Sequence, residues 1–192
     1  MSGVVLNAKI ETAYEILAKK LKVSKARFDA VKNKYLRDAQ KGTITTEDFL
    51  NKISLELKID KDKLRTFWEE TYAKAMAINK EVMELVDMLK KKGYVTALIT
   101  NTLKIHSLLN KKRCVYSKFS PVLLSNEVGI IKPEERIYQK MLELLHLRAD
   151  ECVFIDDRED HLAPAIKIGM KPILFKDSQQ LKQELKQLKI IF

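Results

Sequence analysis

The chain has 192 residues, 46% of them hydrophobic and 32% charged, with a formal net charge of +10. That length suits one domain of ordinary size, or a main domain with a modest insertion, and such a domain needs no disulfides or structural metal. The apolar fraction excludes intrinsic disorder, and no apolar run approaches the ~20 residues of a membrane span.

Residues 8–78 read as helical throughout. Ile10, Ala13, Tyr14, Leu17 and Leu21 fall at helical spacing, and a second helix runs from about Lys25 to Gln40, stopping before Gly42. Thr45 and Thr46 ahead of Glu47 and Asp48 look like a capped helix start. Asp60 caps a further helix carrying Leu64, Phe67, Trp68, Tyr72 and Met76. No strand signal interrupts this stretch, so it reads as a small helical bundle.

From residue 79 the pattern changes to strands alternating with helices. Asn79 caps a helix with the stripe Val82, Leu85, Val86 and Leu89, closed by Lys90-Lys91-Lys92 and Gly93. Tyr94 to Thr100 is a continuous apolar run that fits a strand buried on both faces. A helix over Lys104 to Lys111 and a short strand at Pro121 to Leu124 follow. Pro133 to Leu145 reads as helix, Cys152 to Ile155 as strand and Glu159 to Ile168 as helix. Pro172 to Phe175 is the last strand, and Ser178 to Leu188 an amphipathic helix. Such alternation predicts an α/β fold, a parallel sheet covered on both sides. Cys152 reads as a buried small hydrophobe, and with Cys114 it forms no metal-binding spacing. No leader-type segment opens the chain, so a reducing, cytoplasmic setting is expected.

In open parallel sheets, ligands bind beyond the carboxyl ends of the strands. Thr100-Asn101-Thr102 and Asp156-Asp157 fall at such ends, and Lys132 lies in a loop just before a helix. A hydroxyl, an amide, an ammonium and two carboxylates at one rim suit a phosphate and Mg²⁺, since carboxylates are the hard oxygen ligands that Mg²⁺ prefers. Each piece alone has a plainer reading, as helix cap, polar strand exit or surface lysine. The 36 basic residues include only 7 Arg, spread with the Lys along helix faces rather than interleaved with aromatics. The charge is therefore read as a solvated surface and not as a nucleic-acid face.

Taken together, these segments resemble the haloacid dehalogenase-like (HAD) superfamily. Ala97-Leu98-Ile99-Thr100-Asn101 is similar to its second motif, and Gly129-Ile130-Ile131-Lys132-Pro133 with the helix start Ile137-Tyr138 to its third. Val153-Phe154-Ile155-Asp156-Asp157 matches the acidic fourth motif, and Ala165 to Met170 the family's A-x-x-x-G-M run. The resemblance implies a three-layer Rossmann-like core over residues 1–7 and 79–192 with an inserted helical cap over residues 8–78. The branch it suggests includes glucose-1-phosphate phosphatase-like enzymes and the N-terminal domains of epoxide hydrolases. It implies a phosphatase acting on a small phosphorylated metabolite, with Mg²⁺ held by Asp156 and Asp157. Thr100, Asn101 and Lys132 would bind the phosphoryl group, with Lys132 also balancing charge around the nucleophile.

The family's nucleophilic Asp ends its first strand, with an acid/base Asp two residues later and a glycine after that. Aligning Gly3 with this glycine places Ser2 at the acid/base position and the nucleophile before Met1. Residues 1–192 are thus expected to be inactive or nearly so, and a non-catalytic binding or scaffold protein is the alternative. His161 is expected as a helix-surface residue. The apolar tail Leu188 to Phe192 is expected to pack on the sheet flank, or to stand in for a first strand between those ending at Ile99 and Ile155.

Overall fold

Side chains that satisfy free backbone amides set where three of the first four helices begin. The computed structural model describes residue 1, residues 3–7 and residues 10–190. Helices α1 (Ile10–Lys20), α2 (Lys25–Lys41), α3 (Thr46–Leu57) and α4 (Lys61–Ala75) follow one another through short turns. Ser24, Thr45 and Asp60 each accept an amide proton from the first turn of α2, α3 and α4, and Thr45 and Asp48 complete a capping box. Gly42 ends α2 in a left-handed conformation (φ 72°). A Cβ there would lie 2.3 Å from the Asn126 carbonyl oxygen, so only glycine fits where α2 meets the following domain.

The helices share a core of Phe28, Phe49, Leu50, Ile53, Leu64 and Trp68, and Leu103 and Ile105 from beyond residue 79 complete it. The bundle's core is therefore not closed on itself. The N-terminal turn is tied to the bundle's exit as well, because Asn7 donates to Ala77 and Asn79 to Val5 through their backbone amides.

The remaining elements are α5 (Lys80–Lys91), β1 (Leu98–Thr100), α6 (Lys104–Lys112), β2 (Val122–Leu124), α7 (Ser125–Val128), α8 (Glu135–Leu145), β3 (Val153–Asp156), α9 (Glu159–Lys167), β4 (Lys171–Leu174) and α10 (Ser178–Gln187). β1 pairs in parallel with β2, Ile99 opposite Leu123, and β3 pairs in parallel with β4, Ile155 opposite Ile173. Val82 and Leu85 of α5 and Leu181 and Leu185 of α10 cover one face with Ile173 and Phe175. Ile137, Tyr138 and Met141 of α8 and Ala165 of α9 cover the other with Ile99 and Leu123. Helix, sheet and helix thus form three layers.

Several features depart from the pattern read in the sequence, the short helix α7 among them. The apolar run from Tyr94 pairs as a strand only from Leu98, because β2 runs beside it for three residues; Val95 is 63% exposed. The parallel sheet is also in two halves, β1-β2 and β3-β4, and among the described residues no strand joins them. Val153, Phe154 and Ile155 are consequently only partly buried, unlike a strand covered on both faces and both edges. Cys152, expected to be buried, is partly exposed beside them. At the C-terminus, Ile190 packs on the flank with Leu181 and Leu185, while Ile191 and Phe192 lie outside the described residues.

Candidate active site

The carboxyl ends of β1 and β3 open onto one rim, and the loop before α8 crosses between them. Asn101 fixes that loop. Its side-chain amide donates to the Lys132 carbonyl (2.8 Å), and its side-chain oxygen accepts from the Lys132 backbone amide (2.8 Å). Clasped in this way, the loop turns the Lys132 side chain inward, where Nζ lies 2.5 Å from Asp156 Oδ2. Both side chains are almost fully buried, 3% and 2% exposed.

The other oxygen of Asp156, Oδ1, lies 3.0 Å from His161 Nδ1 and accepts the Arg158 backbone amide at 3.1 Å. Burial pushes this carboxyl upward, but the His161 hydrogen bond and the Lys132 charge outweigh it and hold Asp156 far below the usual carboxylate range. It is ionised at neutral pH, so the His161 ring donates to it through Nδ1. Tyr138 fixes His161 from the other side by donating to its carbonyl (2.7 Å).

His161 is therefore not the surface residue expected from the sequence. It is buried, because it lies with Leu162 and Ala165 on the face of α9 that packs inward. The signal was present in the spacing: His161 lies four residues before the buried Ala165 and next to Leu162, on the inward stripe of the helix.

Asp157 is partly buried and faces the N-terminal turn. Gly3 has φ 88°, and a Cβ on it would sit 2.1 Å from Asp157 Oδ2. The turn therefore reaches the carboxylate only because residue 3 has no side chain. We expect Gly3→Ala to displace Asp157 and to cost about 1–3 kcal/mol, read as a lower urea midpoint with an unchanged slope. A variant as stable as the parent would show that this approach is not needed.

Thr100 is buried with its hydroxyl 3.4 Å from the Asn101 carbonyl oxygen. Of the residues predicted from sequence, Thr100, Asn101, Lys132, Asp156 and Asp157 are thus brought together, and Ser2 lies outside the described residues. Arg158, through its backbone amide, and His161 join them as residues the sequence reading had not placed there.

A sequence profile for haloacid dehalogenase-like hydrolases matches residues 1–169. The chain belongs to this family. Among HAD relatives, the chain is 35% identical over 127 residues to bifunctional epoxide hydrolase 2 of Rattus norvegicus, covering 62% of this chain and 23% of that protein. The chain thus spans less than a quarter of that relative's length. It is 31% identical over 90 residues to glyceraldehyde 3-phosphate phosphatase of Pyrococcus furiosus, covering 46% of this chain and 38% of that enzyme. The fold is that of a HAD family enzyme of Bacteroides thetaiotaomicron, with a TM-score of 0.78 at 24% identity over 92% of this chain and 90% of that one. A HAD-like hydrolase from Porphyromonas gingivalis superposes with the same TM-score at 19% identity, over 98% and 93%. Phosphatases thus stand among the HAD relatives of this chain.

Proposed function

We propose that the rim handles the phosphoryl group of a small phosphorylated metabolite, as in Mg²⁺-dependent phosphatases. The observation that carries this reading is the buried Lys132–Asp156 pair at the joined strand ends, with Asp157 and Thr100 beside it. Lys132 would draw phosphoryl oxygens toward the rim, Thr100 would offer a hydroxyl, and Asn101 would act by holding Lys132 in place. The Pyrococcus furiosus phosphatase supports the substrate class, and a structure of the Bacteroides thetaiotaomicron enzyme in complex with magnesium and inorganic phosphate supports the cofactor.

The donor chemistry fits Mg²⁺. Asp156 and Asp157 are adjacent hard oxygen donors, and this ion commonly takes one or two carboxylates, completing its shell with phosphate and water. Once bound, it would neutralise charge on the phosphate. Among the described residues no group of three or more His, Cys, Asp or Glu side chains is placed to hold a metal ion. The attacking carboxylate that the family resemblance assigns falls before Met1, so residues 1–192 are expected to bind without turnover.

The test pairs calorimetry with an assay on p-nitrophenyl phosphate. We expect Mg²⁺ with tungstate to bind, Asp157→Asn to weaken that binding at least tenfold, and hydrolysis to stay at background. Family-like turnover that disappears in Asp156→Ala would refute the account of the nucleophile. One observation favours a second reading, a non-catalytic binding or scaffold protein: both oxygens of Asp156 are already bonded to protein groups. Absence of any binding would leave that reading alone.

A further inference from the structure

We infer that Glu134 is a positioning residue of the rim, which makes the aim of Lys132 depend on how the last turn of α2 docks. The inference deepens the phosphatase reading and rests on it for what the rim binds. Its geometry begins in the turn that carries Lys132. The Glu134 backbone amide donates to the Ile131 carbonyl (2.8 Å) and closes that turn, with Lys132 and Pro133 between them. Asn101 clasps the turn at Lys132, and α8 leads away from Glu134.

Glu134 stands at the N-cap of α8, yet its carboxylate makes no capping bond there. It reaches instead to α2, where its Oε1 lies 2.7 Å from Lys41 Nζ and 3.2 Å from Arg37 Nη2. The Lys41 and Glu134 side chains are 24% and 26% exposed and that of Arg37 69%, so Lys41 is the stronger partner. A fully exposed pair would contribute little. This one is mostly withdrawn from water, and its charge-assisted bond fixes a direction as well as a distance.

The same turn of α2 is tied to the segment that follows β1. The end of a helix leaves its last carbonyls without helical partners. That of Gln40 accepts the Ser125 hydroxyl at 2.7 Å. Ser125 is fully buried, and its oxygen accepts the Thr102 backbone amide at 2.9 Å. Thr102 follows Asn101, the residue that clasps Lys132. Gln40 and Lys41, neighbours in α2, thus each hold one side of the Asn101–Lys132 clasp, the first through Ser125 and the second through Glu134. Gly42 brings the backbone of this turn against Asn126, where no side chain would fit. A shift of the turn therefore pulls on both ties, and misplacement of a binding group by ~1 Å already weakens its action strongly.

Hydrogen exchange on the 192-residue chain separates positioning from general support. The Lys132 amide donates to Asn101, so its exchange reports on the clasp. Glu134→Gln and Lys41→Met should each speed exchange at Lys132 by about fivefold. The amides of the buried residues Ile53 in α3 and Ile173 in β4 should stay within about twofold of the parent. Both substitutions together should do no more than either alone, because they break one tie. Lys41→Arg keeps the charge and should restore the parent rate. In calorimetry with Mg²⁺ and tungstate, Glu134→Gln and Lys41→Met should bind about fivefold more weakly, and Lys41→Arg as tightly as the parent. The inference is overturned if exchange at Lys132 is unchanged, or if Ile53 and Ile173 accelerate by the same factor. It is also overturned if tungstate binds the parent and Glu134→Gln equally well. A parent that binds no tungstate would refute the phosphatase reading, and the exchange rates would still decide whether Glu134 aims Lys132.

Discussion

Replacing Lys132 with Met is expected to destabilise the protein by about 3–5 kcal/mol, the usual cost of removing one partner from a buried ion pair. The Asp156 carboxylate would stay buried without its ammonium, bonded only to the His161 ring and the Arg158 backbone amide. The loss comes mainly from stranding a charge, so Asp156→Asn in the same chain should return part of it. A double-mutant cycle by urea unfolding should accordingly give a coupling of about 1–3 kcal/mol. A Lys132→Met cost below 1 kcal/mol would show that the pair is open to water and that the rim is not the dry, charged site described. The pair's pH dependence has a definite sign. Asp156 is held below its unfolded range, so its contribution is present above about pH 4 and is lost as the pH falls further.

A second large effect belongs to His106, where α6 meets the helical bundle. Its Nε2 accepts a hydrogen bond from Trp68 Nε1 at 2.8 Å, and its ring stacks on Tyr72 with centroids 3.9 Å apart. Burial pushes its pKa down to about 3. The folded protein therefore keeps this ring neutral, while the unfolded chain binds a proton near pH 6.5. Stability must fall as the pH drops through that value, by about 2 kcal/mol at pH 5 and up to about 5 kcal/mol by pH 3. Chemical denaturation across this range should show the slope, and His106→Leu should remove most of it between pH 5 and 7. An unchanged slope in that variant would mean that His106 already holds a proton in the folded state. Protonation would also break the Trp68 bond, so the bundle is expected to loosen from α6 first on acidification.

Much of this protein can be read from short-range pattern. The caps at Ser24, Thr45 and Asp60 and the left-handed end at Gly42 lie where the residue types require them. The candidate residues Thr100 and Asp156-Asp157 follow from the rule that strand ends in parallel sheets carry chemistry, with Lys132 in the loop before α8 beside them. His161 was misread because its burial depends on which way α9 rolls over the rim, a fact about packing rather than spacing alone. Asn101 was expected at the phosphate, and its amide instead clasps a loop 31 residues away.

By itself, the sequence determined the order of helices and strands apart from the short α7, with their limits to within a few residues, because capping and periodicity act within a few residues along the chain, while the motifs around Thr100, Lys132 and Asp156 carried the resemblance to the family. Only the tertiary structure decided that Lys132 and Asp156 form a buried pair, that His106 is held neutral and that the sheet stands in two halves. Those features depend on groups far apart in sequence meeting away from water, where an unpaired charge or peptide group is costly and a matched one is fixed.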